Sequence, residues 1–285
     1  MPPTFASVPY ASTSPAQTLD LYLPGDRLPD DGEPPCPLVV RIHGGAFLSG
    51  DKALEAPDVP AITEAGYAVA APNYRLSGEA RFPAAVRDVK AAVRFLRAGA
   101  DRFGLDPDRF AAWGASAGAN LAAMIGVTGT MTTFLDDPSL GNADVSSAVQ
   151  AVVGWYGPYD FTTMDAQFAE FTPAACTSPQ RHDVVDSPES LYLGAPVPAV
   201  PELAASACPT HYLGRAEGIP PFLLAAGDSD CYVPYQQSEA FHRALTAVGA
   251  ASSCTLLPGA LHGDPVFPAT QTGPALAFLR SVLGR

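Results

Sequence analysis

One serine in the stretch AWGASAGAN (112–120) has the surroundings that a nucleophile needs. Ser116 lies in a G-x-S-x-G frame with Gly114 and Gly118. Small neighbours allow a very sharp turn, because a Cβ close to the serine would clash with the returning backbone. A serine hydroxyl is a poor nucleophile at neutral pH, so it also needs a base that a third group orients. The frame is short and becomes informative only if the chain supplies these partners.

Five histidines are the candidates for the base. His43 follows a predicted strand, and His182 and His211 lie in a Pro- and Ser-rich region. His242 belongs to an amphipathic helical pattern. His262 lies in PGALHGDP, a glycine-flanked loop after the last predicted strand. Loops at the carboxyl ends of parallel strands share one rim of the sheet, so His262 is the predicted base for Ser116.

The orienting acid is expected on the same rim. The stretch AAGDSDCYVP (225–234) follows the penultimate predicted strand and offers Asp228 and Asp230. An imidazole needs a carboxylate at one nitrogen while its other nitrogen faces the serine. Either aspartate meets that need, and the other would be a turn or N-cap residue.

Acyl transfer also requires N–H donors aimed at the developing oxyanion. The N–H of Ala117, directly after the serine, lies at the start of a predicted helix, where the helix dipole favours negative charge. The stretch RIHGGAFLSGDK (41–52) places glycines directly after a strand and is predicted to supply further donors.

Apolar runs alternate with helical patterns along the chain, which predicts a mostly parallel sheet covered by helices on both faces. The predicted strands are 37–42, 67–74, 109–113, 148–157, 221–227 and 254–259. The predicted helices are 82–98, 119–126, 236–248 and 274–283. Ser116 therefore falls between a strand and a helix, the context expected for a nucleophile elbow. Residues 10–24 have no helix before the next strand and are predicted to form an antiparallel edge hairpin.

Residues 161–218 break the alternation and are rich in Pro, Ala and Ser. A structureless loop of this length inside a compact domain is uncommon unless it is functional. We therefore expect a single domain over 1–285 in which 161–218 form a cap over the carboxyl ends of the strands. Trp155, Tyr156 and Tyr159 are predicted to line an apolar or aromatic pocket there.

The composition excludes several partners. The chain has 285 residues, a net charge of −13 and no cluster of Lys and Arg, which argues against nucleic acid and anionic membranes as partners. It has no apolar run long enough for a transmembrane helix. Its first residues do not resemble a signal peptide, so a cytoplasmic monomer or homodimer is expected, with secretion left open if a leader precedes this sequence.

The five cysteines leave two readings open. No C-x-x-C occurs, so no zinc or redox site is predicted. Cys176 and Cys208 lie in the insertion, and either a disulfide between them or two reduced thiols would fit. Cys231 and Cys254 are predicted at opposite rims of the sheet, too far apart to bond.

Seven motifs together give the chain a family resemblance. They are HGGAFLSGDK, APNYRL, FPAAVRDVKAAVRFLR, GASAGANLAA, SPESLYLG, PPFLLAAGDSDCYVP and GALHG. From about residue 17 to 283 the chain resembles the α/β-hydrolase esterases of the hormone-sensitive-lipase and feruloyl-esterase-like group. The resemblance implies an α/β-hydrolase fold and a serine carboxylesterase that acts on a small-molecule ester, of a short-chain or aryl acid, without metal or cofactor.

The resemblance also assigns residues. It favours Asp230 over Asp228 as the acid, since Asp230 takes the aspartate position in the family's pattern before V-P. It implies oxyanion donors at Gly45, Ala46 and Ala117, and a turn shaped by His43 and Gly44 that borders the substrate pocket.

Two departures from the lipase branch stand out. Ala46 replaces the last glycine of H-G-G-G, and Ala115 replaces the aspartate before the serine. Alanine keeps its backbone N–H, so the oxyanion role survives.

Two other functions are weighed against the esterase. The kynurenine-formamidase branch has similar motifs, so an arylformamidase-type amidase with the same triad is one alternative. The other is a non-catalytic binding protein on the hydrolase scaffold, of the kind found among plant hormone receptors. Such proteins typically lose a triad residue, whereas all three are present here.

Overall fold

A single sheet organises the part of the chain that the computed structural model describes, residues 1–25, 27, 32–174 and 176–284. Its strands are β1 Phe5–Pro9, β2 Thr18–Tyr22, β3 Cys36–Ile42, β4 Ala68–Pro72, β5 Leu105–Ala115, β6 Ala151–Trp155, β7 Phe222–Gly227 and β8 Ser252–Leu257. The order is β1-β2-β4-β3-β5-β6-β7-β8. β2 pairs antiparallel with β1 and β4, and the remaining neighbours pair parallel. The carboxyl ends of β3, β5, β6, β7 and β8 therefore meet at one rim.

Helices cover both faces of the sheet. They are α1 Val59–Glu64, α2 Ala84–Ala98, α3 Ala100–Phe103, α4 Ala117–Thr128, α5 Met164–Glu170, α6 Pro188–Leu193, α7 Pro201–Ser206, α8 Gln236–Ala247 and α9 Val266–Leu283. Buried side chains of α2, α4 and α8 form one core with one face of the sheet. Those of α1 and α9 form a second core on the opposite face. Because β3 to β7 are covered on both sides, most of their residues are apolar, as is usual for parallel strands.

All predicted strands and helices are present, with different bounds. The edge hairpin is formed by β1 and β2, so the predicted stretch 10–24 covers its turn and its second strand only. β5 is longer than predicted. α9 starts eight residues earlier than the predicted 274–283, since it continues through Pro274. The short helices α1 and α3, and α5, α6 and α7 within 161–218, were not predicted.

The disulfide differs from the predicted alternatives. Cys176 is bonded to Cys231, with the two Cα atoms 5.5 Å apart, whereas Cys208 is a buried free thiol. The expectation of a Cys176–Cys208 bridge, or of two reduced thiols, is therefore wrong. Loop length favoured Cys208, but Cys208 packs at 1% exposure at the end of α7. The chain before α6 instead returns to the loop after β7, where the Gln180 N–H donates to the Cys231 carbonyl at 2.8 Å.

Candidate active site

Ser116 lies at the tip of a sharp turn between β5 and α4. Its backbone has φ 54° and ψ −125°, a conformation that non-glycine residues rarely adopt. The Ser116 N–H donates to the Trp155 carbonyl at 2.9 Å, which holds the turn against β6. A Cβ on Gly118 would lie 2.0 Å from the Ile42 carbonyl oxygen, and one on Gly114 would lie 2.1 Å from the Gly118 oxygen. The two glycines of the frame are therefore needed for close backbone approach.

The structure brings Ser116, His262 and Asp230 into one hydrogen-bonded chain. His262 Nε2 is 2.9 Å from Ser116 Oγ, and His262 Nδ1 is 2.6 Å from Asp230 Oδ2. The three residues come from the ends of β5, β7 and β8, which lie at the same rim. A carboxylate only accepts hydrogen bonds, so Nδ1 carries the proton and Nε2 presents its lone pair to the serine.

Asp230 and Asp228 have different surroundings. Asp230 is 2% exposed, and its Oδ1 accepts the N–H groups of Tyr232 at 2.7 Å and Val233 at 2.9 Å. The carboxylate is thus fixed with Oδ2 towards His262. Asp228 Oδ1 instead accepts the Gly259 N–H at 2.6 Å, which braces the loop after β8. The resemblance assigned the two aspartates to these same positions.

Three backbone N–H groups lie near the serine without a partner of their own. Within the described chain, the N–H groups of Gly45 and Ala46 donate to no other group. Ala117 is the first residue of α4, where an N–H has no intrahelical acceptor. Gly45 has φ 111°, and a Cβ there would lie 2.1 Å from the Ser49 oxygen, so this turn requires glycine. Ala46 takes a positive φ of 57° in the same loop.

These residues border a cavity of about 590 Å³. Its wall also includes the loop 44–49, the end of β6, the loop after β7 and part of the region 161–218. The last of these contributes Gln180, His182, Pro188 and Glu189. The wall is mixed, with aromatic rings beside ionisable groups.

The predicted pocket residues divide into two groups. Gly44, Trp155 and Tyr156 line the cavity. Tyr159 and His43 do not, so their placement in the pocket is wrong. Tyr159 is fully buried and stacks on Phe241 of α8 with ring centroids 4.6 Å apart.

His43 lies behind the oxyanion loop. It stacks on Tyr74 at 4.3 Å, and the Tyr74 hydroxyl donates to the His43 carbonyl at 3.0 Å. Burial lowers the pKa of His43. The side chain therefore supports the turn, the shaping role that the resemblance implied.

Tyr156 packs against the histidine of the triad. The two ring centroids are 4.8 Å apart in an edge-on arrangement, and the backbone of Tyr156 has a positive φ of 41°. Burial raises the pKa of Tyr156 to about 12, so the phenol stays protonated at neutral pH. The ring thus adds an apolar edge beside His262 without adding charge.

A buried charged cluster in the cavity wall was missed. Arg41 is 3% exposed, pairs with Glu55 at 2.6 Å and with Asp58, and lies over the Trp113 ring, 4.7 Å from its centroid. Burial raises the pKa of Glu55. The available signal was one arginine in the otherwise apolar strand PLVVRI. Tyr232, at 57% exposure beside His262, was also missed.

The described residues show neither a metal-binding cluster nor a membrane-spanning helix. They contain no group of three or more His, Cys, Asp or Glu arranged to hold a metal ion. Nor do they include a helix long and apolar enough to cross a membrane.

The sheet order, the elbow and the hydrogen-bonded chain of serine, histidine and aspartate are those of the α/β-hydrolase fold. A family model described as BD-FAE matches residues 19–245. The chain belongs to this family, as its resemblance to feruloyl-esterase-like proteins implied.

Similar proteins carry esterase names. Esterase LipC of Mycobacterium tuberculosis is 31% identical over 262 residues, covering 91% of this chain and 60% of LipC. The probable carboxylic ester hydrolase LipM of the same organism is 32% identical, covering 82% of this chain and 50% of LipM. The chain thus spans about half to three fifths of the length of these relatives.

One solved structure aligns with this chain over almost the full length of both proteins. A truncated form of a carbohydrate esterase from gut microbiota aligns with a TM-score of 0.84 and 29% identity, over 99% of this chain and 96% of that chain. A bifunctional GH43-CE protein of Bacteroides eggerthii also reaches 0.84 with 30% identity, over 98% of this chain and 38% of that chain.

Proposed function

We propose that the protein is a serine carboxylesterase that hydrolyses short-chain or aryl esters through an acyl-enzyme intermediate. The observation that carries the proposal is the chain of hydrogen bonds from Ser116 Oγ through His262 to Asp230, at 2.9 and 2.6 Å. Ser116 and His262 line the same cavity as Gly45, Ala46 and Ala117. The esterase names of the relatives support the same reaction class.

Each residue has a defined role in the proposed reaction. His262 Nε2 takes the proton of Ser116 as its Oγ attacks the acyl carbonyl carbon. The N–H groups of Gly45, Ala46 and Ala117 stabilise the negative oxygen of the tetrahedral intermediate. His262 then gives the proton to the leaving alcohol, and the carbonyl re-forms as the acyl-enzyme.

Water completes the proposed cycle. His262 removes a proton from a water molecule that attacks the acyl carbon, and the acid leaves as Ser116 regains its proton. The Asp230 carboxylate stabilises the imidazolium that forms twice in each cycle. In this proposal the segment 161–218 acts as a cap, because four of its residues line the cavity.

The preference for small esters is argued from the cavity. About 590 Å³ has to hold both the acyl and the alcohol parts of the substrate. The wall includes Arg41, Glu55, His182 and Glu189, and a long alkyl chain packed against it would offer these polar groups no hydrogen bond. The likeness to a carbohydrate esterase supports polar alcohols among the substrates.

A substrate panel with an inactivated variant tests the proposal. We expect hydrolysis of 4-nitrophenyl acetate and butyrate, and covalent labelling of Ser116 by a fluorophosphonate. Ser116→Ala should lose both. Faster hydrolysis of an N-formyl arylamine than of the aryl esters would favour the amidase. Absence of both labelling and turnover in the intact protein would favour the binding protein.

A further inference from the structure

A second histidine–carboxylate pair lies in the cavity wall. His182 Nδ1 is 2.8 Å from Glu189 Oε2, and both residues line the same cavity as Ser116. They are buried, at 1% and 4% exposure. The proposed catalytic cycle uses neither residue.

The bond to Glu189 leaves His182 Nε2 as the ring nitrogen that can bind another group. A carboxylate can only accept, so a neutral His182 ring beside Glu189 carries its proton on Nδ1 and keeps a lone pair on Nε2. Nε2 is buried and has no hydrogen-bond partner among the residues that the structure describes. A buried acceptor without a donor destabilises the protein, so a donor at this position would be strongly preferred.

His182 is held in place from several sides. Its N–H donates to Asp165 Oδ1 at 2.7 Å, and its carbonyl accepts the Ser187 hydroxyl at 2.6 Å. The ring stacks on Phe168, with centroids 6.1 Å apart. An imidazole fixed in this way can select a partner by position as well as by charge.

We propose that His182 Nε2 accepts a hydrogen bond from a hydroxyl group of the ester substrate. His182 is then a specificity-determining residue, and Glu189 is a positioning residue that keeps the proton on Nδ1. Side chains of the wall have to shift to admit the hydroxyl, since Nε2 is covered, and rotamer changes of this kind are common on binding. This inference rests on the proposed esterase function and adds the feature that the enzyme selects in its substrate.

The hydroxyl could come from either half of the ester. A polyol or sugar alcohol would present it from the leaving group, and a hydroxylated aromatic acid would present it from the acyl group. Both have the same chemistry, a neutral O–H donor. Two pairs of substrates separate them, namely glycerol monobutyrate with propyl butyrate, and methyl 4-hydroxycinnamate with methyl cinnamate.

The test measures one ratio for each pair, the kcat/KM of the hydroxylated ester divided by the kcat/KM of the ester without the hydroxyl. This ratio is compared between the wild type and the variants. We expect the wild type to prefer the hydroxylated ester in one pair, and His182→Phe to lower that ratio about tenfold, mainly through KM. Glu189→Gln should give an intermediate ratio, because an amide permits either tautomer of His182. The ester without the hydroxyl is the reference within each pair, so an effect of a substitution on both esters alike cancels in the ratio.

His242→Phe is the matched control. His242 lies in α8, bonds to Ser252 at 3.0 Å and is not among the cavity residues. Its ratio should equal that of the wild type. If His182→Phe leaves a buried unpaired Glu189 and fails to fold, the double variant H182F/E189L removes both polar groups and is measured instead.

The outcomes separate the two proposals. Equal ratios in the wild type and the His182 variants, for both pairs, would overturn the role of His182 while leaving the esterase intact. Loss of turnover for all esters in His182→Phe, with an unchanged fold, would also overturn it. A wild type that hydrolyses no ester would refute the proposed function itself.

Discussion

Replacing Asp230 by asparagine tests the triad at its most constrained point. Asp230 Oδ1 accepts two backbone N–H groups, from Tyr232 and Val233, and Oδ2 accepts His262 Nδ1–H. An asparagine has only one oxygen. If that oxygen serves the two backbone donors, the NH₂ group faces His262 and forces the ring into the tautomer with its proton on Nε2. That nitrogen then cannot accept the proton of Ser116.

The size of the effect follows from these bonds. The productive orientation would point the NH₂ group at two backbone donors and leave both unpaired, at about 1–3 kcal/mol each. The wrong orientation is therefore favoured by about 2–6 kcal/mol, which corresponds to roughly thirtyfold to twenty-thousandfold. The same change in another Ser-His-Asp triad lowers kcat about ten-thousandfold. We expect a loss towards the upper end of this range.

The assay is the steady-state hydrolysis of 4-nitrophenyl butyrate. Asp228→Asn is the control, since Asp228 bonds to the Gly259 N–H and not to His262. It should retain activity within about tenfold of the wild type and lose some thermal stability. Thermal unfolding of both variants checks that they fold. An Asp230→Asn variant that keeps near-wild-type kcat, or a larger loss in Asp228→Asn, would refute the reasoning.

Four further predictions concern substrate size, the disulfide, the elbow and pH. Acetyl and butyryl esters should have a higher kcat/KM than octanoyl esters, and the reverse order would contradict the proposed small pocket. Alkylation after unfolding without reductant should label three cysteines, and five with reductant. Losing the Cys176–Cys231 bond, which spans 55 residues, should lower the free energy of unfolding by about 4 kcal/mol in urea titrations. Gly118→Ala should lower the free energy of unfolding by at least about 3 kcal/mol, because its Cβ would lie 2.0 Å from the Ile42 oxygen. An unchanged midpoint of urea unfolding would contradict this packing of the elbow. Burial lowers the pKa of His43, so the unfolded chain takes up a proton at this residue at a higher pH than the folded protein does. The free energy of unfolding therefore falls as the pH drops below about 6.5. Thermal unfolding of His43→Phe should show a smaller loss over that range than the wild type, and an equal loss would contradict this account.

The elements of the fold could be predicted because their signals are local. Apolar runs such as PLVVRI and the three-and-four spacing of 82–98 mark strands and helices within a few residues. Helix α9 was predicted too short because Pro274 reads as a start signal, whereas in the structure the helix passes through it. Short helices such as α1 have too few residues to show a period.

The choice between Asp228 and Asp230 shows the limit of local reasoning. Both lie two residues apart in the same loop, and either could be a turn residue. Only the resemblance favoured Asp230 before the structure placed its Oδ2 2.6 Å from His262 Nδ1. The disulfide shows the same limit, since Cys231 is 55 residues from Cys176 along the chain and its proximity follows from how the insertion returns to the sheet.

By itself, the sequence determined the alternation of strands and helices and the elbow at Ser116, because each depends on residues close together in the chain. It also predicted the base His262, because loops at the carboxyl ends of parallel strands share one rim. The tertiary structure decided which rings face the cavity. Trp155 and Tyr156 line it, whereas Tyr159 lies in the core against Phe241. It also placed His182 and Glu189, from the segment 161–218, in the wall of the cavity that Ser116 lines. Contacts between segments so far apart depend on how the whole chain packs, and no local pattern encodes them.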